Sequence, residues 1–288
     1  MSDVAPLQAP AQTRRFNIWR ALGSFVLLLT ALITLLPFIW MIAVSFVPAG
    51  EVFTGRLVPP VTFAAGVDNY RSAFSAAPLL RYMLNGAVVC AAILVLQVLI
   101  AAPAGYALAK LPFRGRPVLF GAVVVALMIP MQVPAIPLYV AIAYAGLLNS
   151  YTALIAPFII SALAIFLFRQ FFLTYPDEVL DAARLDGFSE WSIVWRLMIP
   201  AIWPAIAAFA TLSIIAHWND LYWPLIVVTQ DAMMTPPAGL ASFRASGDST
   251  GDTGALMAGG VIITAPLVVG FVFAQAHLLR GLKMVAVK

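Results

Sequence analysis

The 288-residue chain is poor in charge and nearly devoid of the residues that do covalent or metal chemistry. A single cysteine, Cys90, excludes an internal disulfide and any cysteine-rich metal site. Two histidines, His217 and His277, add no zinc-type ligand set to it. Only three lysines are present, Lys110, Lys283 and Lys288, and none stands in a Gly-x-x-x-x-Gly-Lys-Ser/Thr loop. The chain therefore has no phosphate-cradling motif of its own. Charged residues make up 10% of the sequence, against about 25% in soluble domains. There is no obvious internal repeat and no low-complexity tract.

Hydrophobic residues fill the space that charge leaves, at 63% of the chain. Apolar runs of about 20 residues recur, the length needed to cross a bilayer as a helix. The runs are continuous, whereas a membrane barrel needs alternating strands of about ten residues. The expected fold is all-α, with about six transmembrane helices near 21–47, 82–108, 118–144, 151–171, 200–228 and 255–279. A polar tail, 1–20, precedes a transmembrane domain, 21–288. The tail resembles a signal-peptide start, but no small-residue cleavage site follows and the apolar run is too long.

The distribution of cations orients the spans. With both termini cytoplasmic, inner segments hold Arg14, Arg15, Arg20, Lys110, Arg114, Arg116, Arg169, Arg184, Arg196, Arg280, Lys283 and Lys288. Outer segments then hold only Arg56, Arg71, Arg81 and Arg244, in keeping with the excess of Lys and Arg on cytoplasmic loops.

One stretch breaks the pattern. Residues 175–191, YPDEVLDAARLDGFSEW, carry five of the twelve acids between two apolar runs. Pro176 suits the start of a helix, and Asp177 and Glu178 favour its positive end. Gly187 can take the left-handed conformation that ends it. Ser189 can cap a second helix that runs toward Pro200. Ala183 and Gly187, four apart, are expected to share a small, smooth face flanked by Asp181, Arg184 and Asp186. Such a unit suits insertion into a groove of another protein, or it is an ordinary solvated hairpin.

Two further stretches interrupt the spans. In MIPMQVPAIPLYVAI, Pro130, Pro134 and Pro137 each remove a backbone donor, so the third span must bend, with Gln132 between the prolines. The fifth span carries the polar group Trp218, Asn219 and Asp220, followed by Tyr222 and Trp223. Aromatic rings can stack on sugar faces while Asn and Asp bond hydroxyls, which makes these residues candidates for a substrate path. An interfacial aromatic belt is the structural alternative, and a His217–Asp220 pair is another. A carboxylate inside a span also fits an ion-coupled secondary carrier.

The segment DAARLDG followed by WRLMIP resembles the EAA signature of ABC-importer permeases. Asp181, Ala182, Ala183, Gly187 and Pro200 match its spacing, with Asp181 standing for Glu, Leu197 for Ile and Ile199 for Leu. DNYRSAF, LRYMLNG, FLFRQFF, WNDLYWPL and RGLKMVAVK look like the maltose-type carbohydrate permeases, from about Val61 onward. The resemblance implies a type I importer subunit, multi-pass in the bacterial inner membrane, with 175–199 as the coupling segment that docks in a cytoplasmic ATPase. It implies a second permease subunit, an ATPase dimer that binds ATP and Mg, and an extracytoplasmic solute-binding protein docked near Asp68, Tyr70 and Arg71. Lipid is a further partner and nucleic acid is not. The implied cargo is a sugar, oligosaccharide or polyol, or a phosphorylated polyol such as glycerol-3-phosphate.

Overall fold

In hydrocarbon a backbone must satisfy its own hydrogen bonds, and helices do so within one segment. The computed structural model describes residues 18–54, 60–246 and 253–286, and these contain helices and no strand. The tail to residue 17, Arg56, part of the outer loop (247–252) and Lys288 lie outside the described residues, as do the side chains of Arg20 and of 280–286.

Helix α1 (Ile18–Val44) is apolar and exposed from Leu22 to Trp40, with Val44 buried at its end. A loop leads to α2 (Phe63–Ala76), whose first turn is capped by Thr62 accepting from the Ala65 amide. The buried Asn69 of α2 donates to the Ser45 and Val47 carbonyls at 3.0 and 2.8 Å, fastening the end of α1. Helix α3 (Leu79–Lys110) has 32 residues. At 1.5 Å per residue it is about 48 Å long, so it outruns a hydrocarbon core of about 30 Å.

The next three elements are interrupted. Helices α4 (Arg116–Met128) and α5 (Ala135–Tyr144) divide the third expected span, with turns across 129–134. Pro130 and Pro134 cannot donate, and each disfavours a helical predecessor. Thirteen residues give α4 a length of about 20 Å, so it cannot cross alone. The bend expected in the span 118–144 is a full break between two short helices.

Helix α6 (Tyr151–Ile155) and a 3-10 turn (Ala156–Phe158) meet α7 (Ala162–Leu173) at a 43° bend. Helix α8 (Asp177–Leu185) and α9 (Glu190–Ile193) form the charged unit. A π-type turn (Val194–Met198) and α10 (Ile199–Ala201) then bend by 77° into α11 (Trp203–Trp218). Helix α12 (Tyr222–Val227) follows a break at 219–221, then α13 (Pro236–Ser246) and the long α14 (Thr253–Ala286). Helices α2 and α13 occupy stretches expected to be outer loops. Among the described residues, three helices are long and apolar enough to cross a membrane, or up to five if each bent pair counts as one span.

Helix α3 runs through both apolar cores. One core joins Tyr106 to Phe168, Phe172, Leu180, Ile193 and Met198. The other joins Tyr82 and Ile93 to Leu154, Trp223 and Ala255. At the bend before α7 the chain frees the Phe158 carbonyl, and buried Gln97 of α3 donates to it at 2.8 Å. Ser213 of α11 donates to the Gln97 carbonyl oxygen at 2.7 Å, so one amide joins three elements.

Helices α3 and α7 meet closely at Gly105. A Cβ there would lie 3.1 Å from the Arg169 nitrogen and 3.3 Å from the Ile165 carbonyl oxygen. Backbone atoms cannot step aside as a side chain can. Gly105→Val is expected to force the two helices apart and cost about 1–3 kcal/mol. A thermal melt of the detergent-solubilised protein indistinguishable from wild type would contradict this packing.

Candidate functional site

The charged unit divides into an inward and an outward face. Helix α8 begins with Asp177 and Glu178 beside its free amides, and ends where Gly187 takes φ +83°. The Gly187 amide donates to the Arg184 carbonyl and the Phe188 amide to that of Ala183, closing the turn. Ser189 then caps α9 by accepting from the Ser192 amide at 3.3 Å. Leu180 and Ala183, three apart, are buried in the apolar core. Ala183 therefore does not share an exposed face with Gly187, because its position on the helix turns it toward α3 and α7. The outward face carries Glu178, Asp181, Ala182, Leu185 and Asp186, with Gly187 beyond. Leu185 is 89% exposed, an apolar side chain left uncovered on an acidic helix. It was missed in the sequence, although the inward pair Leu180–Ala183 places Leu185 outside by helical period.

Arg184 holds the unit together. Its guanidinium donates to Asp181 and Glu190, each at 2.8 Å. The Tyr106 hydroxyl of α3 donates to the other oxygen of Glu190. At the opposite end Lys110 donates to Asp177 at 2.6 Å and to the Tyr175 carbonyl at 2.7 Å. The hydrogen bond from Arg184 holds the Glu190 carboxyl below its ordinary range, and Lys110 does the same for Asp177. Its own acids raise Arg184, which stays charged. Pro200 lies in α10, just before the 77° bend, and does not contribute to the outward face.

The candidate path residues separate. Trp218 is buried and donates to the Ile263 carbonyl at 3.0 Å. Trp223 is fully buried and donates to the Ala153 carbonyl at 2.8 Å. Both indoles hold helices together, and in this arrangement neither ring face is open to a ligand. Asp220 caps α12 by accepting from the Trp223 amide at 3.3 Å. It does not pair with His217, whose Nε2 faces Gln97 at 3.4 Å while its ring packs edge-on against Phe158. Asn219 and Tyr222 are exposed, although the Asn219 amide donates to the Ile215 carbonyl. Gln132 is exposed in the turn between α4 and α5. The structure thus leaves Asn219, Tyr222 and Gln132 on the surface and seals the two tryptophans inside. On α2, Asp68 and Arg71 are exposed, and Tyr70 is half-buried with its hydroxyl near Ser45.

Residues 97–284 match the family model described as "Binding-protein-dependent transport system inner membrane component". The chain is 36% identical over 262 residues to the arabinooligosaccharides transport system permease protein AraQ of Halalkalibacterium halodurans, covering 90% of this chain and 92% of that one. It is 34% identical over 218 residues to the sn-glycerol-3-phosphate transport system permease protein UgpE of Yersinia pestis, covering 76% of each. A crystal structure of a bacterial ABC transporter involved in alginate import contains a chain of the same fold, with TM-score 0.76 and 22% identity. The match covers 93% of this chain and 99% of that one.

Two outcomes follow from this geometry. Trp223→Ala is expected to cost about 3–5 kcal/mol of stability, while Tyr222→Ala stays within about 0.5 kcal/mol. Equal melting temperatures for the two variants would refute the division into buried and surface residues. Glu190 has a depressed folded value, so its tether is complete above the ordinary 4.5 and is lost as pH falls through the depressed value. Protection of amides 177–193, corrected for intrinsic exchange, should be flat near neutrality and drop in acid. Protection of these amides that stays unchanged until the whole chain unfolds in acid would dismiss the charged tether.

Proposed function

The chain belongs to the inner-membrane components of binding-protein-dependent transport systems, and from that premise we propose that α8 and α9 are its coupling segment. It is a carbohydrate ABC-importer permease and a multi-pass membrane protein. A separate ATPase dimer binds ATP and Mg, and the outward face of α8 enters a groove on it. The observation that carries this reading is Leu185, 89% exposed beside the left-handed Gly187 turn. An uncovered leucine among acids supplies an apolar anchor, and Asp181 and Asp186 supply charge at its rim. A second, similar permease subunit and an extracytoplasmic binding protein, the latter met near Asp68 and Arg71, complete the importer. Both termini are cytoplasmic in this arrangement, as the cation distribution favours.

The cargo class follows from what borders the break between α11 and α12. Asn219 and Tyr222 offer hydroxyl-directed hydrogen bonds and a ring face there. Residues 203–228 hold no lysine or arginine. This chain gives a phosphate no cation there, which favours a neutral sugar, oligosaccharide or polyol over a phosphorylated polyol. The ion-coupled carrier has lost its motivation, since Asp220 caps a helix and the family is that of binding-protein-dependent systems.

The isolated chain should hydrolyse no ATP, and hydrolysis should appear once the ATPase subunit is added and rise with loaded binding protein. Gly187→Val places a β-branched residue at positive φ, a strained conformation costing roughly 1–2 kcal/mol. It should insert normally and lose uptake. Robust hydrolysis by the chain alone would sink the subunit assignment. Wild-type uptake in Gly187→Val would remove the turn from coupling.

A further inference from the structure

The covalent route out of the coupling segment toward α11 is irregular. It passes through a π-type turn, the three residues of α10 and a 77° bend. A π-type turn marks a local irregularity in the helical ladder, often at functional positions. The route backward to α7 is shorter, through 174–176, and ends at Pro176. Neither path is a straight rod. A third route is not covalent. Tyr106 and Lys110 are four apart on α3 and so share one face. Tyr106 holds Glu190 at the first residue of α9, and Lys110 holds Asp177 at the first residue of α8. One face of one helix thus grips the starts of both short helices.

The two grips differ from a chance surface pair. The Lys110 side chain is 6% exposed, and its ammonium is shared between Asp177 and the Tyr175 carbonyl. Tyr106 is buried beneath Arg184, and its ring packs edge-on against Phe172 of α7. Above them Gly105 brings α3 and α7 to backbone contact. Helix α3 then extends without interruption, through Pro103, to Leu79. It is longer than the hydrocarbon core is thick, so it can carry a displacement from one side of the membrane to the other.

We propose that Tyr106 and Lys110 are positioning residues that pass movement of the coupling segment into α3, making α3, α7, α8 and α9 one rigid lever. This rests on the coupling role proposed above. It assigns the transmission to two side chains outside the coupling segment. Movement would reach the outer side through α3, with α11 following through its bend.

The test uses the assembled importer, purified through this chain, with Cys90→Ser as background. A reporter cysteine is placed on α8 outside the outward face, at the exposed Val179 (Val179→Cys), or on the outer half of α3 (Leu84→Cys). Maleimide labelling rates are compared before and after trapping with MgATP and vanadate. Trapping is expected to change the rate at both positions in the background. Tyr106→Phe and Lys110→Met should retain the ATPase and the change at position 179, and reduce the change at position 84 by about fivefold or more. Lys110→Arg, which preserves the ion pair, should restore it. A full response at position 84 in both variants overturns the lever. So does a background response confined to position 179, and so does loss of the ATPase from both variants, which would make the two residues purely structural. Absence of any response at position 179 in the background would defeat the coupling assignment itself, and the lever with it.

Discussion

The interior of this protein depends on one amide. Gln97 lies in the middle of α3, and its side chain answers the carbonyl that Phe158 loses where the fourth apolar run bends. An unpaired carbonyl in hydrocarbon costs several kcal/mol, so a bent helix is tolerated only where a neighbour supplies a donor. Ser213 completes the other side of the amide, and His217 lies beside its nitrogen. The bent fourth and fifth apolar runs are thus joined through a side chain on the unbroken α3.

The same helix orders the charged unit at its end. Short helices of nine and four residues are too short to persist alone in water. Burial of Leu180, Ala183 and Ile193 against α3 and α7 supplies what their length does not. Tyr106 and Lys110 add charge-assisted hydrogen bonds at their beginnings, where acids also favour the helix dipole. The opposite face is left free, with Leu185 and the Gly187 turn presented as a fixed shape. As the proposed docking face, this surface is ordered before it meets a partner, which lowers the entropy lost on docking.

Burial also decides which aromatic residues hold the fold and which face outward. Trp218 and Trp223 are five apart in the chain but lie on either side of a helix break, and each indole finds a backbone carbonyl. Tyr222, adjacent to Trp223, is turned outward. Asp220 is consumed by the break itself, holding the first amides of α12. A carboxylate in an apolar stretch therefore has a structural task here that needs neither substrate nor ion.

The sequence by itself determined the class and the order of the parts. Long apolar runs need helices, since no other open structure satisfies a backbone in lipid, and the acidic stretch could only lie outside them. The Gly187 turn and the Ser189 cap were legible because each depends on local backbone chemistry within a few residues. The EAA resemblance marked the same stretch. What the sequence left open required knowing which surfaces meet. Three prolines announced the break in the third run, and Pro157, Pro200 and Pro204 stand at the bends after Phe158 and at Ile202, but which neighbours answer those bends is set by packing. The burial of both tryptophans and the hold of Tyr106 and Lys110 on Glu190 and Asp177 join residues 45 or more positions apart. Such contacts are set by how helices pack, and no local period encodes them.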